Sequence, residues 1–258
     1  MPQTILITGA SSGIGLASAQ LFHQRGWNVI ATMRTPESDT KLKELDPSRM
    51  LVTRLDLQDK TSINPAILSG IEKFTTIDVV LNNAGYGQNG IFEAMTPEQI
   101  QAQFDVNVFG VMDVIRAILP IFARTNVEGS LIKFALEGFT EALSYELASQ
   151  NIFVKSVVPH GGVTGNNFVA RFMRDAAVDS TLTSYDAFLA KTATSYKNMV
   201  AAAAVSSEDV AELIYAAATD GSDKLRYFIG DDKRGFLKAR YESKNDDEYI
   251  AYMRSFFK

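Results

Sequence analysis

Short apolar runs alternate along the chain with longer segments whose apolar residues recur at helical spacing. This alternation is typical of a parallel sheet built from βαβ units. The apolar runs predict strands at residues 4–8, 28–33, 50–55, 77–82, 152–157 and 225–229. The longer segments predict helices at residues 13–25, 60–73, 97–124, 134–150 and 208–219. Most of the strands carry Ile, Val and Leu on consecutive positions, so we expect both faces of the sheet to be buried.

The predicted fold is α/β, with a single Rossmann-type doubly wound parallel sheet of about seven strands and helices on both faces. No Pro/Gly/Ser-rich linker, charge block or repeat interrupts the 258 residues. We therefore expect residues 1–258 to form one domain.

A formal net charge of −5 at pH 7 and the absence of cysteine narrow the possible functions. Nucleic-acid binding depends on clustered Lys and Arg, so a DNA or RNA partner is not expected. Without cysteine there is no disulfide framework, thiolate metal site or Cys nucleophile, and we predict no metal. The N-terminus has no basic region before Ile5, and no apolar stretch approaches the roughly 20 residues of a membrane span. We expect a cytoplasmic protein with no membrane span.

A glycine-rich turn follows the first predicted strand and opens the first predicted helix. Its glycines are spaced G-x-x-x-G-x-G, and such a turn lets backbone N–H groups approach a pyrophosphate at the positive end of the helix. Taken alone, the turn could simply join a strand to a helix. The candidate cofactor-binding residues in this turn are Thr8, Gly9, Ser11, Ser12, Gly13, Ile14 and Gly15.

The glycine spacing resembles the fingerprint of classical short-chain dehydrogenases/reductases, and further motifs match in the same order along nearly the whole chain. The matching segments are Asp56-Leu57, Asn82-Asn83-Ala84-Gly85, Asn107 within a helix, and Lys133-Phe134-Ala135-Leu136-Glu137-Gly138-Phe139. The Lys133 segment and Arg226-Tyr227 are most similar to the hydroxysteroid and retinol dehydrogenase branch. The resemblance implies alcohol–carbonyl chemistry with a nicotinamide cofactor.

The resemblance also implies roles for individual residues. Asn107 would organise a proton-relay water, and Lys133 would lower the pKa of a Tyr and hold the nicotinamide ribose, so both are candidate catalytic residues. Further cofactor contacts are implied for Asp56, Leu57, Asn83, Ala84, Gly85, Pro159, Gly161 and Thr164. His160, which interrupts the family's Pro-Gly pattern, is either incidental or a proton carrier on the substrate side.

The end of the second strand indicates which dinucleotide binds. An acid there accepts hydrogen bonds from a ribose 2′-OH, whereas Arg suits a 2′-phosphate. The sequence is Ala31-Thr32-Met33-Arg34, without an acid. We therefore predict NADP(H) rather than NAD(H), with Arg34 as the phosphate contact and Thr32 in support; the alternative is that Arg34 is a solvated loop residue.

The resemblance breaks at the catalytic Ser and Tyr. In the family, the Ser ends the fifth strand and polarises the substrate carbonyl, and the Tyr, four residues before the Lys, transfers the proton. Gly129-Ser130-Leu131-Ile132 resembles the opening of that strand, but Lys133 follows at once and Gly129 occupies the Tyr position. None of the nine tyrosines has Lys four residues later.

Two explanations of this break stay open. Either a segment between Ile132 and Lys133 is missing from this sequence, or the protein lacks its Ser and Tyr altogether. The first is favoured, because loss of a central strand would leave its neighbours unpaired.

With that segment, the chain is expected to be an NADP(H)-dependent oxidoreductase acting on a small alcohol or carbonyl substrate. Without it, a non-catalytic NADP(H)-binding sensor or scaffold is the alternative. A sugar-nucleotide epimerase is less favoured, because the chain leaves little room for a separate substrate domain. Residues 97–124 and 134–150 correspond to helices through which relatives form homodimers or homotetramers.

Residues 166–205 are expected to form a substrate lid. Its large apolar side chains either face a lipophilic substrate or pack the lid against the body. They are Phe168, Phe172, Met173, Tyr185, Phe188, Tyr196 and Met199. The later segment 241–247 is expected to be a solvated face.

Overall fold

The computed structural model describes residues 2–125, 135–159, 163–164, 171, 174–177, 179–202, 205–229 and 236–256. Its strands are β1 (Thr4–Thr8), β2 (Asn28–Met33), β3 (Met50–Arg54), β4 (Val79–Leu81), β5 (Ser156–Val158) and β6 (Arg226–Phe228). Its α-helices are α1 (Gly13–Gln24), α2 (Ile63–Phe74), α3 (Pro97–Phe104), α4 (Gly110–Thr125), α5 (Ala135–Leu147), α6 (Asp186–Ala202), α7 (Ser207–Thr219), α8 (Phe236–Glu242) and α9 (Asp246–Arg254). Within these ranges, no helix is both long and apolar enough to cross a membrane.

The strands form parallel ladders in two groups. One sheet has the order β3-β2-β1-β4, and β5 pairs with β6 in a second. Ile5 and Ile7 join one apolar cluster with α1 and α7, whereas Leu6 joins another with α2, α4 and α5. Because successive side chains of a strand point to opposite faces, β1 is buried on both. The α/β fold with helices on both faces is confirmed.

The predicted elements are present, but four strands are shorter than the apolar runs. The structure describes six strands, and the candidate fifth strand at residues 129–132 lies outside the described residues. The predicted strand 77–82 forms a ladder only over Val79–Leu81, and the strand 152–157 only over Ser156–Val158. Residues such as Ile152 and Val154 are buried without belonging to a ladder. The predicted strands were therefore too long, because buried apolar residues continue beyond the backbone that pairs in the ladder.

The predicted helix 97–124 is interrupted. Residues Asp105–Phe109 form a π-helical turn between α3 and α4. Just after this turn, a Cβ on Gly110 would lie 2.7 Å from the Cβ of Leu57, so the helix passes very close to the loop after β3. Single π-turns inside α-helices often mark functional positions. Similarly, the predicted helix 60–73 begins as a 3₁₀ turn, Lys60–Ser62, before α2.

A buried ion pair joins the chain before β5 to the end of α7. Lys155 is 2% exposed, and its Nζ donates to the Ala217 carbonyl at 2.7 Å and to Asp220 Oδ1 at 2.8 Å. Burial by itself would raise the pKa of Asp220, but hydrogen bonds from Lys155, Tyr227 and Ser222 outweigh it and hold that pKa well below its usual range. The carboxylate therefore stays charged in the folded protein.

We predict that Asp220→Asn destabilises the protein by about 2–3 kcal/mol at pH 7, because it removes the carboxylate charge that is paired with the buried Lys155 ammonium. A carboxyl group whose pKa is lowered by folding stabilises the protein at pH values above its unfolded pKa of about 3.9. This stabilisation is lost as the pH falls below that value. The difference in unfolding free energy between the two proteins should therefore shrink below about pH 4. Urea unfolding at several pH values measures it. Asp223→Asn, at an exposed position nearby, is the control and should be nearly neutral; equal losses in both variants would contradict the assignment.

Candidate cofactor-binding site

The turn after β1 packs tightly against the turn after β4. Gly9 has φ +70°, and a Cβ there would lie 2.8 Å from the Ala84 Cα. A Cβ on Gly15 would lie 2.4 Å from the Gly9 carbonyl oxygen and 2.5 Å from Asn83 Nδ2. Real side chains do not tolerate such distances, so these two glycines permit the packing.

Hydrogen bonds from the β4 turn hold the glycine turn in place. Asn83 Nδ2 donates to the carbonyl oxygens of Thr8 and Gly9 at 3.0 and 3.1 Å. The Ala84 amide donates to Thr8 Oγ1 at 3.0 Å. Gly85 follows directly and is half-buried. The structure thus brings together the residues of two predicted motifs, with Thr8 and Asn83 as the link between them.

The start of α1 has the features of an anion-binding helix terminus. Ser12 is the N-cap residue with extended backbone, its side chain makes no capping hydrogen bond, and the first turn contains no acid. The first amides of a helix have no acceptor within the helix, and here they belong to Gly13, Ile14 and Gly15. Ser11 is exposed beside them. Together with the close-packed glycines, this donor set fits the pyrophosphate of a dinucleotide.

Arg34 lies exposed immediately after β2 and makes no hydrogen bond or ion pair with any described residue. Its guanidinium is therefore available to a ligand. The supporting role expected for Thr32 is wrong: Thr32 is fully buried, and its hydroxyl donates to the Ile7 carbonyl oxygen at 3.0 Å. Thr32 lies within β2, whereas Arg34 lies beyond the end of that strand.

Asp56 and Leu57 lie in the loop after β3 and differ in what they can offer a ligand. Asp56 is half-buried, and one carboxylate oxygen accepts the Gln58 amide at 3.1 Å. Leu57 is 5% exposed and belongs to the core cluster that also contains α4 residues. The Leu57 side chain is therefore committed to packing, and a carboxylate oxygen of Asp56 remains for an adenine amine.

Asn107 occupies the middle of the π-helical turn and faces the loop after Gly85. Its Nδ2 donates to the Tyr86 carbonyl oxygen at 2.8 Å, and its Oδ1 accepts the Tyr86 amide at 3.2 Å. Gln103 Nε2 also donates to the Tyr86 carbonyl oxygen, at 3.2 Å. Burial, followed by the charge of Asp105, raises the pKa of the Tyr86 hydroxyl. The two hydrogen bonds between Asn107 and the Tyr86 backbone fix the position of the loop at this end of the candidate site. The proton-relay role of Asn107 stays a prediction.

Sequence reasoning missed Tyr86 and Gln103 as parts of this arrangement. The signal was present in the helix prediction, because Asn is unfavourable inside a helix unless its amide has a partner. A search for that partner leads to the backbone of the loop after β4.

The remaining predicted site residues lie in the second half of the chain, and the structure describes only some of them. Lys133, His160 and Gly161 lie outside the described residues. Pro159 follows β5 and is half-buried. Thr164 is exposed, its amide donates to the Val205 carbonyl oxygen at 2.7 Å, and its hydroxyl donates to the same oxygen at 3.3 Å.

A polar network that the sequence did not reveal joins α5 to the C-terminal part of the chain. The buried Glu137 accepts hydrogen bonds from Ser156 Oγ at 2.6 Å and from Arg226 Nε at 2.7 Å. Tyr241 also donates to Glu137, at 3.1 Å, and its ring lies 4.7 Å from the Arg226 guanidinium carbon. Tyr241 is nevertheless 46% exposed, so the expectation of a solvated face holds at this residue while its hydroxyl and one ring face contact the network.

The described part of the expected lid rests on the loop after β4. Gln88 Nε2 donates to the Asp175 carbonyl oxygen at 3.0 Å, and the Ala177 amide donates to the Asn89 carbonyl oxygen at 2.8 Å. Tyr185 uses its hydroxyl to bond Glu93, so it packs the lid onto the body. Phe188 is 43% exposed. Phe168, Phe172 and Met173 lie outside the described residues, as do the side chains of Tyr196 and Met199.

Comparisons with known proteins agree with this geometry. The family model described as short chain dehydrogenase matches residues 3–132. An uncharacterised oxidoreductase of Schizosaccharomyces pombe is 35% identical, with 83% of this chain and 94% of that protein covered. Human retinol dehydrogenase 8 is 35% identical, with 63% and 60% covered. A short-chain dehydrogenase structure from Streptomyces avermitilis has a TM-score of 0.82 at 26% identity, with 98% of each chain covered.

The alignments with two relatives contain more positions than the number of residues of this chain that they cover. The alignment with the S. pombe protein has 235 positions but covers only 83% of this chain, about 214 residues. The alignment with retinol dehydrogenase 8 has 190 positions but covers 63%, about 163 residues. Both relatives therefore carry at least about 20 residues, inside the aligned region, that this chain lacks. The family-model match ends at Ile132, where the expected Ser and Tyr segment should begin.

We predict that Gly15→Ala weakens NADPH binding at least about tenfold, equivalent to about 1.4 kcal/mol, because the added Cβ displaces Asn83 and Gly9. Titration of the purified protein with NADPH, followed by nicotinamide fluorescence, measures the change. Gly138→Ala is the matched control, because a Cβ at Gly138 meets nothing within 4 Å. In the interior of α5 that substitution should stabilise by about 0.5–1 kcal/mol and leave binding unchanged. Unaltered affinity in Gly15→Ala would contradict the assignment of the turn Thr8–Gly15 as the cofactor site.

Proposed function

Because the chain belongs to the short-chain dehydrogenase family, we propose that it is an NADP(H)-dependent oxidoreductase that interconverts an alcohol and a carbonyl on a lipophilic small molecule. The observation that carries the proposal is the close-packed glycine turn Thr8–Gly15, together with the Arg34 guanidinium, which has no partner among the described residues. The family uses a nicotinamide cofactor for hydride transfer, and the family model matches the part of the chain that contains the glycine turn and Arg34.

Different residues of the candidate site would bind different parts of the cofactor. The amides of Gly13, Ile14 and Gly15 would bind the pyrophosphate, and Arg34 would bind the 2′-phosphate. Asp56 would accept a hydrogen bond from the adenine amine. When bound, the nicotinamide supplies or accepts the hydride.

Toward the reacting end, Asn83, Ala84 and Gly85 would line the nicotinamide side of the cleft. Pro159, Gly161 and Thr164 would border the carboxamide, and Lys133 would hold the nicotinamide ribose. These assignments rest on the family resemblance.

Proton transfer is the step for which this sequence lacks the family's Tyr. Reduction of a carbonyl needs a proton donor within hydrogen-bond reach of the substrate oxygen. The family supplies a Tyr four residues before the Lys, and the position here is Gly129. The oxidoreductase proposal therefore applies to a chain that contains a Ser- and Tyr-bearing segment between Ile132 and Lys133.

The second candidate is an NADP(H)-binding sensor or scaffold without turnover. The same observation favours it, because the 258 residues hold a cofactor cradle but no Tyr-x-x-x-Lys pair. In this case cofactor binding would stabilise the fold or alter a surface instead of driving chemistry.

The lipophilic substrate is supported by two observations. Human retinol dehydrogenase 8, a relative, is named for an apolar alcohol. The described lid contributes exposed apolar side chains on α6, Phe188 and Leu189. Polar lid residues such as Tyr185 face the body.

We further propose that the protein is a cytoplasmic homo-oligomer. The support is a set of exposed aromatic side chains on the helices through which relatives pair, namely Phe104, Phe109 and Tyr145. Burial of such side chains contributes strongly at interfaces.

We predict that Arg34→Gln raises the dissociation constant for NADPH by about 10- to 100-fold, because it removes a charge-assisted hydrogen bond to the 2′-phosphate. The affinity for NADH should stay the same, so the ratio of the two constants is the measurement. Arg254→Gln, which removes an exposed charge at the end of α9, is the control and should alter neither constant. A parallel loss for NADH and NADPH would contradict the 2′-phosphate assignment.

We predict that the 258-residue chain binds NADPH but oxidises it slowly with aldehyde and ketone substrates. The rate should be about 10²- to 10⁴-fold below that of a chain with the family's Tyr, because general acid catalysis usually contributes a factor of this size. The intact mass of the protein isolated from its own source then decides between the candidates. A mass about 2 to 3 kDa above 28.3 kDa supports the oxidoreductase. A mass of 28.3 kDa without turnover supports the sensor, and rapid turnover by the 258-residue chain would contradict the proton-donor argument.

A further inference from the structure

Arg54 is the last residue of β3 and lies beside the end of β2. In the parallel ladder its Cα is the partner of the Met33 Cα, and the Leu55 amide donates to the Met33 carbonyl oxygen at 3.0 Å. Adjacent strands of a sheet lie about 4.8 Å apart. Arg34 follows Met33 directly. The two arginines therefore leave neighbouring strands at the same carboxyl edge of the sheet.

The Arg54 guanidinium is half exposed and only partly occupied. Its side chain is 49% exposed, and Nη1 donates to Asp59 Oδ2 at 2.7 Å. The other N–H groups of the guanidinium make no hydrogen bond with any described residue. Because a guanidinium has five N–H donors in a fixed fork, Arg54 can keep its bond to Asp59 and still bind a second anion.

Three carboxylates locate this guanidinium between two loops. The hydrogen bond to Asp59, together with the charge of that residue, raises the pKa of Arg54. The charges of Asp56 and Glu37 raise it further. Asp56 and Asp59 belong to the loop after β3, whereas Glu37 belongs to the 3₁₀ turn after β2. Arg54 therefore lies close to both loops, in the gap between them.

The adenosine half of NADP(H) would lie in this gap. Its proposed contacts are Asp56 with the adenine amine and Arg34 with the 2′-phosphate. Adenine and the 2′-phosphate are attached to the same ribose, so a cation between these two contacts is close to the phosphate. A phosphate offers three acceptor oxygens, and a bidentate arginine binds two of them. One acceptor therefore remains for a second cation.

We propose that Arg54 is a second specificity-determining residue for the 2′-phosphate, and that Asp59 weakens its contribution by sharing the guanidinium. Arg34, which has no partner among the described residues, would then supply most of the discrimination. Arg54 would supply less, because a carboxylate already neutralises part of its charge. The inference rests on the proposed NADP(H) cofactor, but it concerns binding alone and is independent of turnover.

The test compares the dissociation constants for NADPH and NADH, measured by nicotinamide fluorescence with the 258-residue chain. Arg54→Gln should raise the constant for NADPH about 3- to 10-fold and leave that for NADH unchanged, since only NADPH carries the 2′-phosphate. Arg54→Lys keeps the charge and should stay within about twofold of the unaltered protein. Arg116→Gln is the matched control, because Arg116 is another exposed arginine that donates to a carboxylate, that of Asp113, at 2.6 Å. It should alter neither constant.

Asp59→Asn should change the affinity in the opposite direction. The substitution removes the competing charge but keeps an oxygen that can accept the Thr61 amide, so the turn after Asp59 stays capped. The constant for NADPH should fall about two- to fivefold, and the constant for NADH should stay the same. In a chain that also carries Arg54→Gln, this gain should disappear.

The outcomes separate this inference from the proposed function. Equal losses for NADPH and NADH in Arg54→Gln would overturn it, because they would mean that Arg54 only orders the adenine loop. Weaker NADPH binding in Asp59→Asn would overturn it as well. If Arg34→Gln lowers the preference for NADPH and Arg54→Gln does not, this inference alone fails. If the unaltered protein binds both cofactors equally, the NADP(H) assignment fails with it.

Turnover is measured separately from binding. A chain in which both Arg34 and Arg54 favour NADPH, but which does not oxidise it, would support this inference and the sensor candidate together.

Discussion

The contact between the turn after β1 and the turn after β4 is the constraint on which the candidate site depends. Asn83 binds the carbonyl oxygens of Thr8 and Gly9, and Gly9 approaches Ala84 so closely that a side chain would not fit. These hydrogen bonds turn the carbonyl groups of the glycine turn toward the protein. The free amides at the start of α1 are therefore directed to the open end of the sheet, where a phosphate can bind.

This contact also separates the two halves of the chemistry. The proposed contacts to the pyrophosphate, the 2′-phosphate and the adenine come from the turns after β1, β2 and β3, all of which are described. Proton transfer needs groups beyond β4, where, among the described residues, the ladder ends and the buried amide of Asn82 has no hydrogen-bond partner. A chain of this kind can keep its affinity for a dinucleotide while losing turnover, because binding energy and proton transfer arise from different elements.

The position of the glycine turn in the fold follows from the local sequence. The turn Thr8–Gly15 lies between a strand and a helix as expected, because glycine spacing directly limits backbone conformation. The expectation for Thr32 failed for a different reason: its side chain is fully buried within β2, and its hydroxyl donates to the Ile7 carbonyl oxygen. The Glu137–Arg226 pair was also missed, because nothing local connects residues 89 positions apart.

The sequence by itself determined the α/β class, the order of the elements and the absence of a Tyr-x-x-x-Lys pair, since apolar periodicity and residue spacing are local properties of the chain. Only the tertiary structure decided which amides are satisfied and which are not, how the π-turn aims Asn107 at Tyr86, and where the sheet is interrupted. These properties depend on distances between elements that are far apart in sequence, and such distances follow from packing and hydrogen bonding in the folded chain.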